Sequence, residues 1–203
     1  MSQPAPHPEG IDYDERTALV VVDVQNDFAH PNGNLYVDGG EDVVQAANRE
    51  IDRARKGGAI VVYTQDWHPE TTPHFEKDGG VWPTHCVQDT WGAQFHHDLV
   101  VEGPVVRKGV DGGDGYSGFS VRDPESGAES ATELEQHLRD RGIERVVVVG
   151  LAQDVCVQAT VLDARRLGFD TTVVSDATRA VNLAPGDDDK AYRAMQDAGA
   201  RIS

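Results

Sequence analysis

Five short apolar runs recur along the chain, and they are rich in valine and other β-branched residues. They cover residues 18–24, 59–64, 104–108, 145–150 and 171–176. In most of them the apolar positions are continuous instead of alternating with polar ones, which is typical of strands buried on both faces. The runs therefore predict the strands of one parallel sheet.

Helical periodicity separates several of these runs, in segments that tend to end at glycine after a basic or polar turn. These segments cover residues 41–58, 131–142, 156–168 and 187–199. Strands that alternate with helices indicate a parallel sheet with helices on both faces and right-handed crossovers. The predicted fold class is therefore α/β.

The connection at 65–103 is too long to be an ordinary turn, and it has no clear periodicity. Loops of this length are usually functional or disordered. This one holds Trp67, Trp82 and Trp91, which are all the tryptophans of the chain. We therefore expect an ordered loop with a function.

Length and charge narrow the classes of protein to consider. A chain of 203 residues suits one domain, which we place at 17–203 behind a Pro- and charge-rich tail at 1–16. With 18 basic and 35 acidic residues the formal net charge is −17, which disfavours nucleic acid and anionic membranes as partners. No run approaches the roughly 18 apolar residues of a membrane span, and the N-terminus lacks the pattern of a secretion signal. A cytoplasmic protein is expected.

Reactive side chains follow the predicted strands at their carboxyl ends, where open parallel sheets bind ligands. They are Asp23, Asp66, Lys108, Cys156 and Asp176. Asp23 stands inside an apolar run, where an unpaired carboxylate would be costly, so a cation or a proton-sharing partner is expected. Lys108 is the candidate cation, although a purely structural salt bridge between strands would account for the same pair.

One of the two cysteines, Cys156, stands between a predicted buried strand and a predicted helix. Most buried cysteines are inert packing residues. At a helix start, however, free backbone N–H groups and the helix dipole can lower the pKa of a thiol and could hold an oxyanion. With Asp23 as proton acceptor and Lys108 as cation, Cys156 is a candidate nucleophile. The other cysteine, Cys86, is interpreted as packing.

The long loop brings three imidazoles and one carboxylate within twenty residues, at Asp66, His68, His74 and His85. Each histidine alone could simply face solvent. Together they form a donor set suited to one divalent metal, with zinc first and iron or manganese as alternatives.

The set of motifs resembles the nicotinamidases, within the isochorismatase-like cysteine hydrolases. The motifs are VVDVQNDF at 21–28, the D-x-H of the long loop, WPTHC at 82–86, KG at 108–109, YSGF at 116–119 and GLAQDVC at 150–156. They span about residues 17–180 in the family's order.

The resemblance implies a three-layer sandwich with a doubly wound, mainly parallel sheet of about six strands. It implies a catalytic triad at Asp23, Lys108 and Cys156, and a metal at the four loop residues. An oxyanion site would use the N–H groups of Ala152 and Cys156 beside a cis peptide at 151–152. The substrate-binding residues would be Phe28, Trp82, Tyr116 and Leu151.

The implied activity is conversion of a small carboxamide, nicotinamide, to nicotinate and ammonia through a thioester, as part of NAD salvage. A related small-amide hydrolase with a carbamoyl or maleamate-like substrate is an alternative, and so is a non-catalytic metal- or partner-binding member of the fold. The sequence does not fix the width of the pocket, because Val155 stands where many relatives carry a larger residue. It also does not fix the conformation of the lid over the site, because segment 110–115 is rich in glycine and aspartate. The native metal, the exact amide and a possible homo-oligomer are not fixed by the sequence.

Overall fold

A computed structural model describes residues 11–203, and its centre is a sheet of six parallel strands. The strand order is β3-β2-β1-β6-β7-β8. The strands are β1 (Thr17–Val22), β2 (Ile60–Asp66), β3 (Val105–Lys108), β6 (Arg145–Leu151), β7 (Asp170–Arg179) and β8 (Arg201–Ile202). The predicted α/β sandwich with about six parallel strands is confirmed.

Helices cover both faces of this sheet. They are α1 (Asn26–Ala29), α2 (Gly40–Gly57), α3 (Leu134–Arg139), α4 (Gln158–Arg166) and α5 (Asp187–Asp197). Helix α2 packs on the face that carries Leu19 and Val21 of β1. Helices α3, α4 and α5 pack on the opposite face, which carries Val20 and Val22. Successive residues of β1 thus enter two different cores, which is why its apolar run does not alternate.

Strand order reverses between β1 and β6, because the chain first winds outward through β2 and β3 and later through β7 and β8. Such a switch point opens a crevice beyond the carboxyl ends of the two central strands. Asp23 follows β1 and Ala152 follows β6 at this crevice. In the neighbouring pair of strands, Asp66 of β2 is in register with Lys108 of β3.

Part of the chain after β3 differs from its predicted pattern. Residues 120–122 and 129–131 form a two-stranded antiparallel hairpin, β4 (Ser120–Arg122) and β5 (Glu129–Ala131). The hairpin takes the start of the helix predicted at 131–142, and α3 is accordingly short. β8 was not predicted from an apolar run, since two residues carry no periodic signal.

The beginning of the described chain lies against the domain. The hydroxyl of Tyr13 donates a hydrogen bond to Glu50 of α2, 2.8 Å away. Residues 1–10 lie outside the described residues, so the tail at 1–16 stays a prediction. Within 11–203, no helix is both long and apolar enough to cross a membrane.

Candidate active site

Asp23 leaves β1 with a left-handed backbone, at a φ of 49°. Its N–H donates to the carbonyl of Thr64, and the Thr64 hydroxyl donates to its carboxylate at 2.6 Å. A non-glycine residue in this conformation is strained, and such residues concentrate at functional sites. Asp23 is fully buried, so its carboxylate needs the partners that the neighbouring strands supply.

Lys108 supplies a positive charge beside Asp23. Its Nζ lies 2.7 Å from a carboxylate oxygen of Asp23 and 2.7 Å from one of Asp66. It also donates to the carbonyl of Gly115 and lies 3.7 Å from Sγ of Cys156. Lys108 is fully buried. One ammonium group therefore joins the predicted triad to the carboxylate of the predicted metal site.

The pKa values of the two carboxylates that share Lys108 are shifted in opposite directions. Burial raises the pKa of Asp23 to about 6, although Lys108 opposes the shift. Burial also acts to raise the pKa of Asp66, but Lys108 and the nearby His68 outweigh it, and this pKa lies well below the usual range. Two titratable groups pushed apart in this way suit different roles. Asp23 can exchange a proton near neutrality, whereas Asp66 stays anionic.

Cys156 lies in a π-helical turn, Gln153–Val157, that connects β6 to α4. Its Sγ and one oxygen each of Asp23 and Asp66 lie within 4.8 Å of one another. Burial raises the pKa of this thiol well above its ordinary value, against the effect of Lys108. The helix start is expected to favour a lower pKa, but loss of hydration outweighs the nearby positive charge and the net direction is upward. The resting form is a neutral thiol beside an acceptor carboxylate.

The peptide between Leu151 and Ala152 is cis, as the resemblance implied. Gly150, just before it, has a φ of 118°, and a Cβ there would come within 2.0 Å of the carbonyl oxygen of Val22. Only glycine lets β6 approach β1 this closely at the switch point. This close approach brings the loop that carries Cys156 beside Asp23.

Three buried histidines of the long loop face one another. Donor nitrogens of His68, His74 and His85 lie within 4.8 Å of each other. An oxygen of Asp66 is 3.8 Å from Nε2 of His68 and 3.9 Å from Nε2 of His85. The four residues predicted as metal ligands are thus brought together.

Hydrogen bonds of the imidazoles test whether this group fits a metal. Nδ1 of His85 lies 2.7 Å from the carbonyl of Pro83, and Nδ1 of His74 lies 2.8 Å from the carboxylate of Asp114. Both acceptors require Nδ1–H, so each Nε2 carries a free lone pair. Within residues 11–203, neither ring nitrogen of the buried His68 has a hydrogen-bond partner. Orphaned nitrogens and free lone pairs that converge beside a carboxylate fit a divalent metal.

Burial keeps two of these imidazoles, those of His85 and His74, neutral. It lowers the pKa of His85 to about 4, although the charge of Asp66 opposes the shift. It also lowers the pKa of His74, against the bond to Asp114. Neutral imidazole is the form that binds metal, so these two residues stay able to bind metal below the usual histidine range.

Gly109 explains the KG motif. Its φ is 73°, and a Cβ there would come within 2.5 Å of Cε1 of His68. The backbone after Lys108 therefore packs directly on a predicted metal ligand, which a larger residue would displace. The KG motif therefore places Lys108 and leaves room for His68 beside it.

A small cavity lined mainly by aromatic and apolar side chains lies between the predicted triad and the histidines. Its walls include three of the predicted substrate-binding residues, and Nε1 of Trp82 donates to the hydroxyl of Tyr116 at 3.0 Å. The predicted residues that line it are Phe28, Trp82, Tyr116, Ala152, Cys156, Asp66, His74 and His85.

Some positions differ from the prediction. Leu151 is fully buried in the core on the α2 side of the sheet. Asp176 is exposed on β7. Cys86 is buried in the core, as its interpretation as packing requires.

Sequence reasoning missed several residues that complete the site. Leu35 and Val181 line the cavity, and Asp114 holds His74. They lie in loops without periodicity, and only the fold brings them to the site. Val155, noted for its small size, also lines the cavity.

Comparison with known proteins agrees with this geometry. The family model described as isochorismatase domain matches residues 17–203. A nicotinamidase of Escherichia coli (strain K12) is 39% identical over 210 residues, covering 91% of this chain and 93% of that protein.

Solved structures give the same result. The pyrazinamidase of Pyrococcus horikoshii in complex with zinc has a TM-score of 0.82 and 38% identity, covering 93% of this chain and 98% of that one. The PnC1 protein of L. infantum in complex with nicotinate has a TM-score of 0.85 and 36% identity, covering 95% of each chain. The chain therefore belongs to the isochorismatase family, in its nicotinamidase branch.

Proposed function

We propose that this protein is a metal-containing cysteine amidohydrolase that converts nicotinamide to nicotinate and ammonia. The observation that carries the proposal is the contact of one buried ammonium, Lys108, with Asp23, Asp66 and Cys156. This contact sets a thiol and its base at one end of a cavity that has the histidine group at the other.

The relatives support the choice of substrate. Nicotinamidases of known sequence align over most of the chain, and the similar L. infantum structure holds nicotinate. The cavity walls also suit a flat ring, since Phe28, Trp82 and Tyr116 are all aromatic. A carbamoyl or maleamate-like substrate would offer no ring to these walls.

Acylation begins when Asp23 accepts the proton of Cys156 while Sγ forms a bond to the carboxamide carbon. The carbonyl oxygen becomes an oxyanion, for which the N–H groups of Ala152 and Cys156 are the proposed donors. Asp23 then gives its proton to the amide nitrogen as the C–N bond breaks. Ammonia leaves, and the acyl group remains on Cys156 as a thioester.

Deacylation repeats the proton transfers with water. Asp23 takes a proton from water while the water oxygen attacks the thioester carbon. Asp23 then returns that proton to sulfur when the C–S bond breaks. The starting thiol is restored, and the nicotinic acid formed releases its remaining proton to water to give nicotinate. A pKa of about 6 for Asp23 suits both directions of transfer, because a catalytic base works best with a pKa near the operating pH.

Asp66, His68, His74 and His85 are the residues that would hold the metal. When bound, it would attract the ring nitrogen of the substrate and so orient the carboxamide toward Cys156. Zinc is the proposed ion, supported by the similar P. horikoshii protein, whose structure contains zinc.

The cellular setting is part of the proposal. The cytoplasm keeps thiols reduced, which suits a cysteine nucleophile, and nicotinate is the product expected of an enzyme of NAD salvage. Assembly into a homo-oligomer stays a prediction.

Ammonia release from a panel of small amides, with and without a chelator, tests the function. We expect turnover of nicotinamide by the wild type and none by Cys156→Ala. If the wild type hydrolyses aliphatic amides but leaves nicotinamide intact, the proposed substrate is wrong. If Cys156→Ala retains turnover, the proposed nucleophile is wrong.

A further inference from the structure

The Gly/Asp-rich segment, whose conformation the sequence left open, folds back over the metal loop. We call residues 109–116 the strap. The Thr72 hydroxyl donates to the carbonyl of Gly112 at 2.8 Å, and the carbonyl of Gly115 accepts from Lys108. Two backbone hydrogen bonds, of 2.7 and 3.0 Å, pair Asp114 with Arg122. The strap therefore has a fixed conformation at the position of Asp114.

The fixed strap directs the Asp114 carboxylate at Nδ1 of His74, 2.8 Å away. The His74 side chain is only 4% exposed and that of Asp114 is 19% exposed. A carboxylate in this position selects the Nδ1–H tautomer, turns Nε2 toward the other histidines and makes the imidazole a stronger donor. The bond therefore prepares His74 for a metal.

The three histidines differ in what holds the outer side of each ring. His85 has the neutral carbonyl of Pro83, and His74 has a carboxylate. Within residues 11–203, His68 has no hydrogen-bond partner at either nitrogen. Among residues 11–203, His74 is the one histidine of the three whose outer nitrogen is hydrogen-bonded to a carboxylate.

The charges around the site explain why a second carboxylate is useful. Asp66 is the one anion among the four proposed ligands, and it shares its charge with Lys108 at 2.7 Å. In the described part of the chain, no lysine or arginine forms a salt bridge with Asp114, whose carboxylate accepts a hydrogen bond from His74. Asp114 thus places near a divalent ion a negative charge that no lysine or arginine neutralises.

We propose that Asp114 is a positioning residue for the metal, which acts through His74. This inference rests on the metal site of the proposed function. Removal of the Asp114 carboxylate should weaken metal binding without changing the reactivity of the Cys156 thiol, because Asp114 acts on the site through the His74 imidazole.

The test compares Asp114→Asn with Asp111→Asn. Both remove one negative charge from the strap, and Asp111 is exposed. Zinc affinity is measured by competition with a chelator at neutral pH. Loss of an outer carboxylate typically weakens metal binding by about 10- to 100-fold, so this is the expected change for Asp114→Asn. The affinity of Asp111→Asn should stay within about two-fold of the wild type. Equal affinities in the two variants would overturn the inference.

Alkylation of Cys156 in the metal-free proteins separates positioning from a general effect on folding. We expect the same rate in the wild type and both variants. A slower or faster rate in Asp114→Asn alone would mean that the whole strap has moved, and the inference would fail. Absence of zinc binding by the wild type would instead refute the proposed metal site, and this inference with it, whereas the thiol chemistry would still stand.

Discussion

Replacement of Lys108 by methionine removes the buried ammonium while keeping a side chain of similar length. Burial and Lys108 together set the pKa of Asp23 at about 6. An opposite charge this close typically lowers the pKa of a carboxyl by about 1 to 3. In Lys108→Met the pKa of Asp23 should therefore rise to about 7 to 9.

The expected loss of activity follows from these values. At pH 7 a carboxyl with a pKa of about 6 is about nine-tenths ionised, whereas one with a pKa of about 7 to 9 is between about one-half and one-hundredth ionised. The lost base alone should thus lower kcat/KM at neutral pH by about 2- to 100-fold. Lys108 also lies 3.7 Å from Sγ of Cys156, so the plateau at high pH should fall as well.

The assay measures kcat/KM for nicotinamide and the alkylation rate of Cys156 across pH, with the labelled peptide identified by mass spectrometry. The acidic limb of both profiles should move to higher pH in Lys108→Met. Arg107→Met is the matched control, since Arg107 is the exposed neighbour of Lys108. If the acidic limb stays where it is in the wild type, Lys108 does not set the proton affinity of Asp23, and the pair is only structural.

The same variant should change how stability depends on pH. Because the folded pKa of Asp23 is raised, the folded protein binds more protons than the unfolded chain, so this group lowers stability as pH rises. In the wild type this loss of stability occurs between about pH 4, the pKa of an unfolded aspartate, and about pH 6, the pKa of folded Asp23. In Lys108→Met the loss should extend to about pH 7 to 9 and reach about 4–7 kcal/mol, because each tenfold change in proton affinity is worth about 1.4 kcal/mol. Denaturant unfolding at acidic and neutral pH measures it, and an equal loss at both would contradict the linkage.

Three further predictions concern the thiol and the metal. Cys156→Ala should fold and lose nearly all ammonia release, whereas Cys86→Ala should be less stable but active; the reverse result would exchange their roles. His85→Ala should raise KM for nicotinamide more than for benzamide, which has no ring nitrogen to orient, and equal losses in the two amides would make the metal structural. Zinc should stay bound below the usual imidazole pKa of about 6.5, because burial lowers the pKa of His74 and brings that of His85 to about 4. Metal analysis after dialysis over a pH series measures this, and release at or above the usual value would show that burial does not govern the site.

The apolar runs and glycine-ended helical segments determined the α/β fold, because strands buried on both faces leave a pattern in the local sequence. The reactive side chains at the strand ends could also be predicted from the local sequence. Asp23, Lys108 and Cys156 each stand where a predicted strand ends, and parallel strands must bring such ends to one edge. The possible metal-binding role of the histidine loop was predicted from the types of side chain and their spacing in the sequence.

Other features required the tertiary structure, because they depend on contacts between distant residues. The pairing of Asp114 with His74 joins residues 40 positions apart, and no periodicity relates them. The high pKa of Cys156 reflects how far the folded protein removes the thiol from water, which the helix-start argument could not include. Sequence patterns thus predicted which groups meet at this edge of the sheet and which strands carry them. Only the fold decided their solvation, their outer-shell partners and the cavity between them, since these depend on packing across the whole chain.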